Sequence, residues 1–305
     1  MPSSAAAATE LARIAASFGR LFYVRSCANA WPDRVAVTRG KRTDFCVGDE
    51  VEVGLIGADQ AVIESLRPRR TALQRSDRWR SKLLAANVDQ AGIVVAGDPP
   101  FSEALLMRML IALESAGIGA ALIANKSDLV EAARAIAGRI AAYRALGYEV
   151  FEIAAGARPR EARERLGSWL AGRTTLLIGQ SGMGKSTLVN TLVPDADLRT
   201  QAISAALSSG RHTTTFSRMF DVPDEVARDA RIVDTPGFQS FGLAHLSESQ
   251  RMHAMREFVP LLGRCRFNNC HHHDEPGCAI REAASRGEID ALRYRLYLRI
   301  EDDAD

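Results

Sequence analysis

No apolar run in this 305-residue chain approaches the ~18 uninterrupted residues of a membrane-spanning helix. A basic leader is missing too. The opening stretch MPSSAAAATELARIAASFGR is rich in Ala and Ser, and Glu10 and Arg13 interrupt any apolar core. That argues against a secretory signal and predicts a flexible tail over residues 1–20. Net charge is small at +2 and says little about partners. Cysteines number five, an odd count that argues against a secreted disulfide framework. No segment repeats. The missing apolar run predicts no membrane partner, and a cytoplasmic monomer is the expectation.

The length suits about two domains of ~150 residues, and 47% apolar with 25% charged residues is ordinary globular composition. Charge is unevenly spread. RPRRTALQRSDRWRSK, residues 67–82, holds seven Arg or Lys against one Asp, so it reads either as a solvated linker or as an RNA-facing patch. Before it, LFYVRSC, RVAVTRG, DEVEVGLIG and QAVIESL are short, β-branched and separated by turn residues, which predicts a small β-barrel over residues 21–70. From residue 87 strands and helices alternate. AGIVVAG, GAALIA, YEVFEIAA and TTLLIG read as strands, and SEALLMRMLIALESAG, LVEAARAIAGRIAAYRALG and PREARERLGSWLAG as helices. Such alternation predicts a parallel sheet covered on both faces. In the first helix Ser102 is the expected N-cap and Gly117 the stop.

The strand TTLLIG runs into Gly179, Gln180, Ser181, Gly182, Met183, Gly184, Lys185, Ser186 and Thr187. This fits G-x-x-x-x-G-K-[ST] between a strand and a helix, the context that confirms a phosphate-binding loop. Glycines let the backbone wrap around phosphate with N–H groups pointing inward. Lys185 brings positive charge to the β and γ oxygens, Ser186 offers a hydroxyl to Mg2+, and the helix N-terminus adds its partial charge. Forty-nine residues beyond Lys185, Asp234 ends the apolar run ARIVD and opens DTPG. Asp234 is suited to hold Mg2+ through a water, and Gly237 to donate its N–H to a γ-phosphate. GRHTTT lies between, where Thr214 is the favoured further Mg2+ ligand. Phe238 follows DTPG, where Ras-like enzymes place a water-orienting Gln, so intrinsic hydrolysis should be slow unless a partner or another group, with His212 a candidate, assists.

Upstream, GAALIA ends in Asn125, Lys126, Ser127 and Asp128. A carboxylate at Asp128 can accept from both N1–H and the exocyclic amine of guanine, a pair adenine does not offer. Asn125 can hold the other base edge or tie loops together, and the Lys126 stem can lie over the ring. In ordinary GTPases the phosphate loop precedes this guanine reader, whereas here the reader comes 54 residues earlier. Circular permutation resolves the order, because joining nearby termini and opening a loop elsewhere preserves a fold. The segment after DTPG then runs toward the C-terminal region rather than into another strand.

Cys265, Cys270 and Cys278 lie within 14 residues that also hold His271, His272 and His273. Three thiolates and one imidazole make a closed, structural zinc site, and spacing alone does not choose the histidine.

The permuted order, a barrel before it and CRFNNCHHHDEPGCAIREA after it resemble the ribosome small subunit-dependent GTPase A family (RsgA, or YjeQ) over about residues 20–290. GQSGMGKST, GRHTTT and DTPGF are also similar to its motifs. The resemblance implies an α/β protein: an N-terminal OB-like barrel (21–70), a basic linker (71–86), a circularly permuted P-loop GTPase domain (87–242) and a mainly helical zinc-binding domain (243–305). It implies GTP hydrolysis to GDP late in 30S assembly, stimulated by the subunit, with 16S rRNA as a contact. It implies Mg2+ with GTP and one structural zinc on Cys265, Cys270, His272 and Cys278. Where many members carry Ser-Ala beside the base, this chain has Ala154-Ala155, so the base should be held less tightly. Two other readings compete: an RNA-binding nucleotide switch with negligible turnover, and a P-loop ATPase in which NKSD is accidental.

Overall fold

The computed structural model describes residues 9–40, 42, 44–77, 79–196 and 216–302. One eleven-stranded sheet runs through the molecule, and its barrel end closes on itself. The barrel comprises β1 (Glu10–Phe18), β2 (Leu21–Ser26), β3 (Arg34–Thr38), β4 (Glu50–Ile56) and β5 (Gln60–Leu66). Alternating residues Ile14, Phe22, Val24, Ala36, Val51, Val53, Ala61 and Ile63 fill its interior. β1 corrects the expected flexible tail, because much of 1–20 is a strand. It pairs with β2 along one edge and β4 along the other. Alanine is a poor strand former in isolation, but Ala12, Ala15 and Ala16 pack with little bulk where strands converge, and this tertiary pairing overrides propensity.

The expected linker at 71–86 is also structured. It forms a hairpin of β6 (Ala72–Ser76) and β7 (Ser81–Ala86). Leu73, Leu84, Ala85 and Ala86 are buried, while Trp79 stands at the tip, 88% exposed.

The nucleotide-binding part follows the expected alternation. Parallel strands β8 (Gln90–Val95), β9 (Gly119–Ala124), β10 (Glu149–Glu152), β11 (Thr174–Gly179) and β13 (Arg231–Asp234) are joined by an antiparallel strand, β12 (Arg218–Asp221). Their order is β10-β9-β8-β11-β13-β12. Helices α1 (Glu103–Ser115), α2 (Val130–Ala145), α3 (Pro159–Leu170) and α4 (Lys185–Leu192) cross between them. Ser102 caps α1 by accepting from the N–H of Leu105, and Pro159 sits in the first turn of α3, where its missing N–H costs nothing. β12 meets β1 through the single pair Ala16–Arg218, which joins barrel and parallel sheet.

Beyond residue 243 the chain is helical: α5 (Glu248–His253), α6 (Ala279–Ser285) and α7 (Ala291–Asp302). This region docks on α1 and α2. Arg256 pairs with Glu114 at 2.7 Å and stacks over Tyr148. Arg293, buried and paired with Glu257 at 2.5 Å, stacks over Tyr143. Among the described residues no helix is long and apolar enough to cross a membrane.

Candidate nucleotide site and metal cluster

β9 and β11 are parallel and flank β8, so the reader after β9 and the loop after β11 emerge at the same edge of the sheet. Ligands bind at this carboxyl edge in open α/β sheets. The two motifs touch. Asn125 is buried, and its Nδ2 donates to the carbonyls of Met183 at 3.1 Å and Gly184 at 3.4 Å. Its Oδ1 accepts from the N–H of Ala155 at 3.0 Å. Of the two roles the sequence leaves open for Asn125, the structure shows the tying of loops. Lys126, at φ 61°, sends Nζ to the carbonyls of Asp98 at 2.7 Å and Gly182 at 3.0 Å. Asp128 is exposed, and no described side chain holds its carboxylate.

The loop from 180 to 184 is shaped for an anion. Gly184 has φ 85°, and an added Cβ would lie 2.4 Å from Asn125 Nδ2, so no larger residue fits. No side chain caps α4, and its first N–H groups are left for a ligand. Ser181, Ser186 and Thr187 are exposed along this rim. Lys185 is buried and its Nζ contacts the Asp234 carboxylate. The donor chemistry fits Mg2+ with phosphate: Ser186 would hold the ion directly and Asp234 through a water, and the ion would neutralise phosphate charge.

The DTPG segment is closed onto the phosphate loop. Phe238 donates its N–H to the Gly179 carbonyl at 3.0 Å and accepts from the N–H of Ser181 at 3.2 Å. Thr235 Oγ1 donates to Leu177 O at 3.0 Å. The ring of Phe238 is buried against Phe241. A hydrophobic ring so placed cannot hydrogen-bond a water. His212 and Thr214 lie outside the described residues.

Sequence reasoning missed what lies downstream. Ser76, at the end of β6, clamps the strap after DTPG. Its N–H donates to Gly242 O at 3.1 Å, and its hydroxyl accepts from the N–H of His245 at 2.8 Å and meets His245 Nδ1 at 2.7 Å. Arg75 donates to Ser240 O at 3.3 Å and lies over the Phe238 ring. The basic run gave no sign of this, because arginines suit a solvated face equally well.

At the other end, ligand atoms of Cys265, Cys270, His272 and Cys278 lie within 4.8 Å of one another. Each sulfur is 3.5 Å from His272 Nδ1. A tetrahedral ion with bonds of about 2.3 Å to sulfur and about 2.05 Å to nitrogen has S···N edges of about 3.55 Å, so the cluster fits a Cys3His metal site. Burial pushes the Cys270 thiol up to about 12, raises Cys278 and lowers His272. The imidazole is therefore a ready neutral donor, and a cation must displace the thiol protons. His271 turns away to Glu248 at 2.9 Å. Tyr294 braces the cluster by donating to the His272 carbonyl at 2.6 Å.

A phosphate loop, a base reader ahead of it in the chain and a closing switch strand behind it, all on one sheet edge, define a circularly permuted P-loop GTPase. The RsgA GTPase family model matches residues 66–244. The chain is 50% identical over 293 residues to the small ribosomal subunit biogenesis GTPase RsgA of Burkholderia pseudomallei (strain 668), covering 96% of this chain and 91% of that one. It is 50% identical to the protein of that name from Paraburkholderia xenovorans (strain LB400), covering 87% and 84%. YjeQ from Thermotoga maritima superposes with a TM-score of 0.73 at 24% identity, over 97% of this chain and 99% of that one. YloQ, a circularly permuted GTPase, superposes with a TM-score of 0.69 at 22% identity, over 100% and 98%. The chain belongs to the RsgA GTPase family.

Proposed function

We propose that the protein hydrolyses GTP to GDP and phosphate while bound to the small ribosomal subunit, late in its assembly, and that the subunit stimulates turnover. The observation that carries this reading is the junction at Asn125, which binds the guanine reader to the phosphate loop. The names of its relatives point to the same subunit.

In this reading the N–H groups of 179–187 wrap the phosphates, and Lys185 leaves Asp234 for the β and γ oxygens. Ser186 would ligate Mg2+ directly and Asp234 through a water, with Thr214 as a further ligand. Asp128 reads N1–H and the exocyclic amine of guanine. Gly237 donates its N–H to the γ-phosphate. Phe238 leaves the attacking water without a partner, so intrinsic turnover is slow and the orienting group comes from the subunit or from His212. Cys265, Cys270, His272 and Cys278 hold one structural zinc. The barrel, the basic hairpin tip around Trp79 and Arg80 and the zinc domain face 16S rRNA. Basic side chains beside an exposed aromatic suit phosphates and an unstacked base. The protein works in the cytoplasm as a monomer.

Steady-state hydrolysis of GTP and ATP, with and without purified 30S subunits, tests the reading. Slow GTP turnover that rises at least tenfold with 30S, without ATP turnover, is expected; an arginine finger supplied in trans is worth roughly 10³–10⁵. A flat rate with 30S removes partner activation, and a preference for ATP removes the guanine reading.

A further inference from the structure

Asp128 is exposed and unheld, so its aim depends on its neighbours. Lys126 is fixed by two backbone carbonyls. Ser127 donates its N–H to Ile153 O at 3.0 Å, and Leu129 returns its N–H to Lys126 O at 3.0 Å, which closes the turn. The hydroxyl of Ser127 accepts from Arg158 Nη2 at 3.0 Å. Arg158 in turn donates its N–H to Ala154 O at 2.7 Å and pairs through Nη1 with Glu161 at 3.2 Å.

Segment 154–158 thus grips the reader at two points. Ala155 N–H holds Asn125 from one side, and the Arg158 guanidinium holds Ser127, the residue just before Asp128. Neither Ala154 nor Ala155 has a side chain able to hydrogen-bond, so Arg158 supplies the side-chain contact this segment makes to the reader turn. We propose that Arg158 is a positioning residue for guanine, acting through Ser127 to aim the Asp128 carboxylate at the 2-amino edge of the base. This rests on Asp128 being the guanine-reading carboxylate. The competing view is that an Arg158 side chain 49% exposed makes a surface contact without functional weight.

Inosine diphosphate separates the two, because it keeps N1–H and lacks the 2-amino group. Affinities of GDP, IDP and ADP are measured by calorimetry for the full chain, Arg158→Met, Ser127→Ala and the double variant. The wild-type chain is expected to prefer GDP to IDP and both to ADP. Each single variant should weaken GDP about threefold to tenfold, as for one lost hydrogen bond, and should weaken IDP distinctly less. The double variant should match the singles, because the same bond is lost once. Equal losses for GDP and IDP, unchanged GDP affinity or additive single effects overturn the role of Arg158. ADP binding as tight as GDP in the wild-type chain overturns the guanine reading itself, before any variant is compared.

Discussion

His245 shows how one side chain ties the switch strap to the hairpin. Its ring meets the Ser76 hydroxyl while burial lowers its affinity for protons below the ordinary value of 6.5. Below about pH 6.5 the unfolded chain therefore binds more protons at this position than the folded one. This contribution to stability is fully present above about pH 6.5 and is lost as pH falls from there through the lower folded value. Urea unfolding of the wild type and His245→Gln at pH 7.5 and pH 5.5 checks it: the wild type should lose more stability over that interval than the variant. Asn125 carries a heavier duty. Its amide serves two carbonyls and one N–H from two loops, and Gly184 leaves it room.

Among the elements, the β6–β7 hairpin is one whose role was hidden in the sequence. Arginines at 67, 69, 70, 75, 78 and 80 hide the strand signal, and among the described residues the apolar Leu73, Leu84, Ala85 and Ala86 mark the buried side. β1 was hidden for a different reason, since an Ala-rich strand has weak propensity and depends on partners far along the chain. The phosphate loop, the guanine reader and the Cys/His cluster were legible, because each needs particular residue types at fixed spacing. The hold of Arg158 on Ser127 was not legible, as it depends on where two loops meet. At Gly242 an added Cβ would lie 2.0 Å from Ser76 O. Gly242→Ala should separate strap from hairpin and cost about 1–3 kcal/mol. Hydrogen exchange should then quicken at residues 239–245, and thermal unfolding should come earlier.

At the scale of the molecule, the metal cluster at 265–278 and the nucleotide site built on 125–128 and 179–187 come from different regions of the chain, and His272 is braced by Tyr294 of the C-terminal helix. Arg256 and Arg293 fasten the C-terminal helices to α1 and α2. Metal removal should therefore loosen residues 265–300 without dismantling the phosphate loop, since the hydrogen bonds of Cys265, Cys270, His272 and Cys278 run to one another and to Tyr294. A strong chelator is expected to release one zinc per chain and lower the thermal stability of the C-terminal part. GDP affinity should stay within about twofold of the untreated protein, because sites that share no partners act nearly independently. Metal analysis with calorimetry checks both; a collapse of GDP affinity on chelation would show that the two regions fold as one.

The strand order also bears on how the chain takes shape as it leaves the ribosome that makes it. β8 emerges first within the parallel sheet. β9 lies down beside it, β10 beside β9, and β11 then takes the free side of β8. The β12–β13 pair closes the row against β11 on one side and the already finished barrel on the other. Growth proceeds outward from a strand already in place, so no strand has to wedge open a formed pair, and most neighbours are joined soon after synthesis. In the cyclic order that starts at the phosphate loop, β11 would come first and its neighbour β8 only after the β12–β13 pair. The permuted chain instead lays down the base-reading half before any phosphate can bind, so the apo sheet must stand on its own packing until the loop at 179–187 arrives.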